Sequence, residues 1–406
     1  MKVLLFGLMT GQHTRNAFYA LADAGLLHSF HTRIALSDSF FYRNLSRFGF
    51  FSLLRRRMYP LQYAKYIHSY WLDELLMIIL QKLHLDKFFP ELFDKEQRNI
   101  NFDKKVAEYL LRHRGEIDAV FGYEDTSRIT FEVAKGLGIK CIYELPIGYW
   151  KAKESILDKQ KELYPDWAIT MSTTTESIEK LKRKDSELSL ADAVIVPSQF
   201  VKETLKYYPR EIPKIQILQY GAPVVSSVQH KTNKTEKLRL LFCGNLTQRK
   251  GLADVFEVYK KLDKKRFALT IIGNGKIDDC ISLRENLKQV EHKKSVSHDE
   301  LLHLMQQADI FLFPSHFEGF ALVIFDSMSQ GLPVMTTIVT SGPITNGYDG
   351  WIINPNDIDG MVLLLNYLEH NRDEIQKCSM NAKLTASKYS WDSYQQSLCH
   401  YLKTIL

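Results

Sequence analysis

The stretch ADIFLFPSHFEGFALVIFDSMSQGLPVMTT, residues 308–337, decides how the chain is read. Residues 310–313 form a short apolar run with the length and composition of a buried parallel strand, and Pro314 ends it. A loop over 315–320 follows, then 321–330 reads as a helix stopped by Gly331 with Pro333 beyond, and a second apolar strand starts at Val334. This is the strand–loop–helix–strand unit of a doubly wound α/β sheet, whose ligands sit outside the carboxyl ends of the strands. Glu318 falls in that crevice. The first free N–H groups of the helix, those of Phe320, Ala321, Leu322 and Val323, carry partial positive charge towards the same crevice and suit a phosphate. Asp326 lies further along the helix, so the two acids can flank one extended ligand, with a sugar at Glu318 and a ribose at Asp326. The structural alternative is that Glu318 caps the helix and Asp326 is a solvated helix residue.

Residues 238–251, LRLLFCGNLTQRKG, repeat the theme as a strand, a turn at Gly244 and Asn245, then Arg249, Lys250 and Gly251 leading into a helix over 252–262. Two cations at the carboxyl end of a strand suit a diphosphate, arginine as a fork and lysine as a point charge. A third strand, 267–272, ends in Gly273, Asn274, Gly275 and Lys276. The third glycine of a dinucleotide loop is missing, because position 278 is Asp278, which argues against a nicotinamide enzyme.

Taken in order, these pieces resemble the GT-B class of nucleotide-sugar glycosyltransferases, in particular the retaining family numbered four. The resemblance spans the G-x-L-x-x-x-K-G turn from Gly244 to Gly251, the G-x-G turn from Gly273 to Gly275, the 308–320 segment and the G-L-P-V that starts at Gly331. It continues through Asp349-Gly350-Trp351, Asn354-Pro355-Asn356-Asp357 and Tyr389-Ser390-Trp391, and reaches weakly back to 191–198 and 214–221. It implies two Rossmann-like doubly wound domains facing a central cleft: an acceptor-binding domain over 1–222, a linker over 223–237, a nucleotide-sugar domain over 238–388, and a C-terminal helix over 389–406 crossing back. It also implies that Glu318, Lys250 and Arg249 serve catalysis, and that Gly244, Asn245, Gly273, Gly319, Phe320, Ala321, Leu322 and Asp326 bind the donor. Two positions depart from the family pattern: Asn245 replaces its arginine, and Asp326 its second glutamate.

At 406 residues the chain fits two domains, and 45% hydrophobic with 25% charged residues is the composition of a globular protein. The apolar start, 1–9, reads as a first buried strand because polar residues 10–16 follow at once. No apolar run approaches the length of a membrane span. Five cysteines show no metal-ligand or redox spacing and read as reduced thiols in a cytoplasmic protein. A net charge of +6 is mild for this length and does not indicate nucleic acid.

In the first half, a glycine-bearing turn follows the first strand, and Gly11 and His13 are acceptor-side candidates. His13 is either a base or a polar loop residue. Residues 40–71 carry cations interleaved with aromatic residues and no acid. That mix suits an anionic membrane surface, as at the inner face of the plasma membrane, and equally an aromatic pair packed on the sheet with a basic edge. Glu124 and Asp125 follow a strand over 117–122, a place where many members of the resembled family carry a histidine and this chain has none, so no base is carried over there. They suit acceptor hydroxyls, and Asp125 suits a helix N-cap equally.

The expected function is a glycosyltransferase moving a sugar from a nucleotide diphosphate donor to a saccharide or lipid-linked acceptor, in cell-surface polysaccharide or glycolipid assembly. No cofactor and no metal are expected. The rivals are a sugar-nucleotide epimerase and a non-catalytic binding protein on the same fold.

Overall fold

The computed structural model describes residues 1–8, 11–37, 57–71, 76–77, 80, 93–174, 176–212, 214–228, 236–340 and 342–406. Apolar strands buried on both faces build two parallel sheets. The first contains β1 (Val3–Phe6), β2 (Leu27–Thr32), β5 (Ile67–Ser69), β6 (Ala119–Tyr123), β7 (Lys140–Glu144), β8 (Ala193–Val196) and β9 (Ile215–Ile217). Their order is β5-β2-β1-β6-β7-β8-β9. A separate short pairing joins β3 (Leu36–Ser37) and β4 (Met58–Tyr59).

The second sheet contains β10 (Leu238–Cys243), β11 (Phe267–Ile272), β12 (Glu291–Lys293), β13 (Ile310–Phe313), β14 (Val334–Thr337) and β15 (Gly350–Ile353), in the order β12-β11-β10-β13-β14-β15. Every pairing in both sheets is parallel. The order reverses between β1 and β6 in the first sheet and between β10 and β13 in the second, and crevices open at such reversals. At the base of the second, Arg239 clamps β10 to β13: its Nε and Nη2 each lie 3.1 Å from a carboxylate oxygen of Asp309.

Two connections tie the halves together, of which the sequence reading anticipated the C-terminal helix and left 150–174 unassigned. The helix Trp150–Leu163 and the 3-10 turn Pro165–Thr174 leave the first sheet and lie on the second domain, where Trp167 joins the core. The C-terminal helix, Trp391–Ile405, packs on the helix Gln12–Asp23, with Gln395 Nε2 donating to Asn16 Oδ1 at 2.7 Å.

The helix Arg128–Gly136 corrects an expectation. Asp125, at φ 79°, is not its cap. Asp103 accepts from the N–H groups of Ile129 and Thr130 at 2.7 and 2.9 Å, and Glu187 from those of Asp125 and Ser127 at 3.0 and 2.9 Å. Sequence-distant carboxylates take the capping role there.

Most of the 40–71 stretch lies outside the described residues; within 57–71 Tyr59 is buried, while Leu61 and Trp71 are exposed. Tyr59 is fully buried, its ring 5.0 Å from that of Phe18, and the Tyr63 hydroxyl donates to Asp23 at 2.7 Å. Residues 229–235 of the expected linker are likewise outside the described set. All five cysteines are free thiols. Among the described residues no helix is long and apolar enough to cross a membrane.

At the end of β7, Glu144 is completely buried and accepts from the Tyr220 hydroxyl at 2.6 Å, while its Oε2 has no partner among the described residues. Burial pushes its carboxyl up to about 7, against the opposing pull of the hydroxyls of Tyr220 and Tyr123. A carboxyl raised on folding holds its proton more tightly in the native state, so the stability it adds is complete below its unfolded value and is lost as pH rises through the folded one. The thermal midpoint should therefore decline between about pH 5 and 7.5. Glu144→Gln, which stays neutral throughout, should show a shallower decline; superimposable pH curves for the two proteins would clear Glu144 of this role.

Candidate active site

The loops after β10 and β13 meet at the reversal point. After β10 the chain makes a 3-10 turn, Gln248–Lys250, with Thr247 capping it, and then Gly251 at φ 72° opens the helix Leu252–Lys261. A Cβ on Gly251 would lie 2.1 Å from the carbonyl oxygen of Pro314, so the approach of the two loops requires glycine there. His316 N–H and the Ser315 hydroxyl both donate to the Arg249 carbonyl, at 2.9 and 3.0 Å. The loops are thereby zipped along their backbones.

Glu318 hangs from this seam. Its Oε1 pairs with Lys250 Nζ, lies 3.2 Å from Arg249 Nη1, and is 3.2 Å from the Ser315 hydroxyl. Arg249 Nη1 also donates to the Phe317 carbonyl at 2.8 Å, and Lys250 sits 5.0 Å from the centre of the Phe313 ring. Burial favours the neutral acid, but the charges of Lys250 and Arg249 outweigh it and hold the Glu318 carboxyl below its ordinary value. Burial lowers Lys250 as well, against the raising pull of Glu318. The ionised cluster carries two cations against one anion.

A second layer fixes the seam from behind, and sequence reading missed it. His316 Nε2 is 2.6 Å from Asp254 Oδ2, and Gln248 Nε2 reaches His316, Asp254 and Gln160 at 3.2, 3.3 and 3.0 Å. Asn356 Nδ2 lies 3.2 Å from both Asp254 and Gln160. These residues come from four separate segments, and no local pattern announces their meeting. Asn356, at φ 63°, stands inside the Asn-Pro-Asn-Asp motif, which was the one available hint.

The remaining donor-side candidates border a different space. Gly244, Asn245, Gly273, Leu322 and Asp326 line a cleft of about 760 Å³ together with Gly11, Gln12, Arg15 and Gly221 from the first domain, Ser297 and His298, and Trp391 of the C-terminal helix. Arg15, His298 and Trp391 were not anticipated as cleft residues. Asp326 Oδ1 lies 3.8 Å from His298 Nε2, and burial raises its carboxyl to about 6 with His298 pulling it down. Glu318, Lys250 and Arg249 are not among the walls of this cleft.

Between the two regions, Gly319, Phe320 and Ala321 border a cavity of about 10 Å³ with Ser198, whose hydroxyl donates to the Gly319 carbonyl at 2.8 Å. A Cβ on Gly319 would lie 1.7 Å from the Pro146 carbonyl oxygen, so this loop is pressed against the first domain. The helix behind it runs Leu322–Ser329, one residue later in its start than the sequence suggested.

On the acceptor side, Gly11 faces the cleft, whereas His13 turns inward. Its ring stacks on Tyr220 at 5.1 Å, its Nε2 has no partner among the described residues, and burial lowers it to about 4, leaving a neutral imidazole. Glu124 and Asp125 are held by the helix Ile178–Leu190: Lys184 lies 3.3 Å from Glu124, and Lys180 lies 3.2 Å from Asp125. They stand in an ion-pair network with Glu176, apart from the residues lining the cleft.

Residues 224–385 match the family model described as glycosyl transferases group 1. The O-antigen chain mannosyltransferase B of Escherichia coli is 28% identical over 165 residues, a match covering 38% of this chain and 42% of that protein. The chain thus matches less than half the length of that relative. Among solved structures, sucrose-phosphate synthase from Thermosynechococcus elongatus is similar over 100% of this chain and 99% of its own, with a TM-score of 0.67 at 14% identity. HepE from Anabaena, in complex with UDP-glucose, is similar over 100% of both chains, with a TM-score of 0.62 at 13% identity. At such identities the likeness speaks for the fold alone, two doubly wound domains in the GT-B arrangement. The matched residues 224–385 take in the loops after β10 and β13, and with them Arg249, Lys250 and Glu318.

Proposed function

We propose that the protein is a retaining glycosyltransferase that moves a sugar from a nucleotide diphosphate sugar to an acceptor hydroxyl, in the assembly of a cell-surface polysaccharide or glycolipid. The observation that carries this reading is the cluster of Lys250, Arg249 and Glu318 at the reversal between β10 and β13. Its surplus positive charge in a buried setting suits an anion, and a diphosphate leaving group develops negative charge as its bond to the sugar breaks. Lys250, Arg249 and the N–H groups ahead of the helix Leu322–Ser329 would stabilise that charge without solvent rearrangement. Glu318 would accept from sugar hydroxyls, and Asp326, in the cleft with Gly244 and Gly273, from the ribose.

The acceptor oxygen bonds to the anomeric carbon on the face the diphosphate leaves, and its proton passes to the donor's phosphate oxygen. Two fixed cations supply the charge a metal would otherwise bring, so transfer is proposed to run without one. The UDP-glucose bound by HepE and the mannosyl transfer named for the E. coli relative support this class of donor and a saccharide or lipid-linked acceptor. The protein would act in the cytoplasm, peripheral to the inner face of the plasma membrane through the basic part of 40–71.

Release of nucleoside diphosphate should appear when an acceptor is added to one member of a panel of sugar nucleotides. Release that ignores the acceptor, or none across the panel, overturns the reading. Lys250→Ala should raise the donor KM and lower kcat, and Glu318→Gln should chiefly lower kcat, each reducing kcat/KM by at least about tenfold, or about 1.4 kcal/mol. Unaltered steady-state constants in both variants would remove the cluster from the reaction.

Asp326 gives a pH test. Its raised carboxyl is ionised above about 6 and loses acceptor capacity below it, so donor affinity should weaken as pH falls through that value. Asp326→Asn should bind donor more weakly at pH 8 (roughly tenfold, the worth of one charged hydrogen bond) and show no such inflection. An inflection that survives in Asp326→Asn would assign it to another group.

A further inference from the structure

Far along the chain from the cleft motifs, three chemistry-bearing side chains of the first domain meet. His28 is the second residue of β2, at the end of the strand opposite its carboxyl end; His113 closes the helix Lys95–Arg112; Glu116 lies in the turn before β6. Among the described residues this is the only trio of His, Cys, Asp or Glu whose ligand atoms all lie within 4.8 Å of one another. We propose that His28, His113 and Glu116 bind a divalent transition-metal ion of the zinc type, in a structural site that clasps β2 to the end of the helix and to the turn entering β6.

The two histidine–carboxylate spacings, each to a different oxygen of Glu116, match those between ligands of a tetrahedral centre. Bonds of about 2.0–2.1 Å put neighbouring ligand atoms about 3.3 Å apart. His28 Nε2 lies 3.3 Å from Glu116 Oε2, and His113 Nδ1 lies 3.2 Å from Glu116 Oε1. Two imidazoles and one carboxylate form a donor set that zinc accepts, and the fourth position falls to water because the Glu116 side chain is 63% exposed.

The hydrogen bonds behind the trio accommodate the required tautomer, one of the two relay directions they allow. The Ser29 hydroxyl lies 3.1 Å from His28 Nδ1 and 3.0 Å from His31 Nε2, and His31 Nδ1 lies 2.9 Å from the Tyr70 hydroxyl. A consistent relay has His28 Nδ1–H donating to Ser29, Ser29 donating to His31 Nε2, and His31 Nδ1–H donating to Tyr70. That relay leaves a lone pair on His28 Nε2 aimed at a carboxylate oxygen, two acceptors facing each other with room for a cation between them. It also supplies the outer hydrogen bond that orients a metal-bound imidazole.

The experiment uses the full chain, stripped with a chelator and titrated with zinc chloride by calorimetry and by thermal midpoint. One equivalent should bind, raising the midpoint by about 5 °C at a hundredfold excess over Kd. Glu116→Gln, at an exposed position that should not disturb folding, and His28→Gln should each weaken binding at least tenfold. Cobalt in place of zinc should give the intense visible bands of a tetrahedral site in the wild type and lose them in both variants. Absence of zinc binding, or equal affinity and stoichiometry in all three proteins, overturns the site and leaves histidine N–H groups hydrogen-bonded to Glu116. The proposed sugar transfer is read separately, by acceptor-dependent nucleotide release, so either idea can fail alone.

Discussion

A carboxylate taken out of water is costly unless cations follow it, and that constraint organises the second domain. Glu318 is only 7% exposed, so its ionised form depends on Lys250 and Arg249 being delivered to the same point by a different strand. The strand order makes the delivery possible, since β10 and β13 are neighbours with carboxyl ends at the reversal. Bonds from the Ser315 hydroxyl and the His316 N–H to the Arg249 carbonyl hold the two loops in register. The buried polar layer of Gln248, Asp254, His316 and Asn356 prevents either loop from sliding. Losing both cations would strand the Glu318 carboxylate, and both arrive on the one turn after β10.

What could be read from the sequence was what repeats locally. The strand 310–313 and the strand 267–272 were legible to the residue because a short, uninterrupted apolar run bounded by proline or glycine fits a buried strand and little else. Pairings between distant segments were not legible. Nothing near Asp125 says that Glu187 and Asp103 will satisfy the helix that follows it. Nothing near Trp167 says that it will be buried in the core of the other domain. His13 was visible as a histidine beside a glycine turn, but its direction is set by Tyr220, some two hundred positions away. Within the site, the residue types and their order were legible, and the division into an enclosed cluster at Glu318 and an open cleft at Asp326 was not.

The way the domains are joined bears on that division. The chain crosses between them twice at one place: Ala222 bridges to Ser390, and the Ala222 N–H donates to the Tyr389 carbonyl at 2.5 Å. Gly221 permits the crossing, since a Cβ there would sit 2.5 Å from the backbone of Trp391. Two adjacent crossings are where a rotation of one domain against the other would turn. The segment 150–174 makes a separate set of contacts with the second domain. Gln160 is bonded to Asn356 and Gln248 of the second domain, and the Asp166 carbonyl accepts from Cys280 Sγ at 3.3 Å. A rotation that parts Pro146 from Gly319 therefore either breaks the Gln160 bonds or carries most of 150–174 along with the second domain. The second course leaves the polar layer behind Glu318 intact. It places the bending at the start of the helix Trp150–Leu163, because Thr204 and Asp185 hold Tyr149 and Trp150 to the first domain.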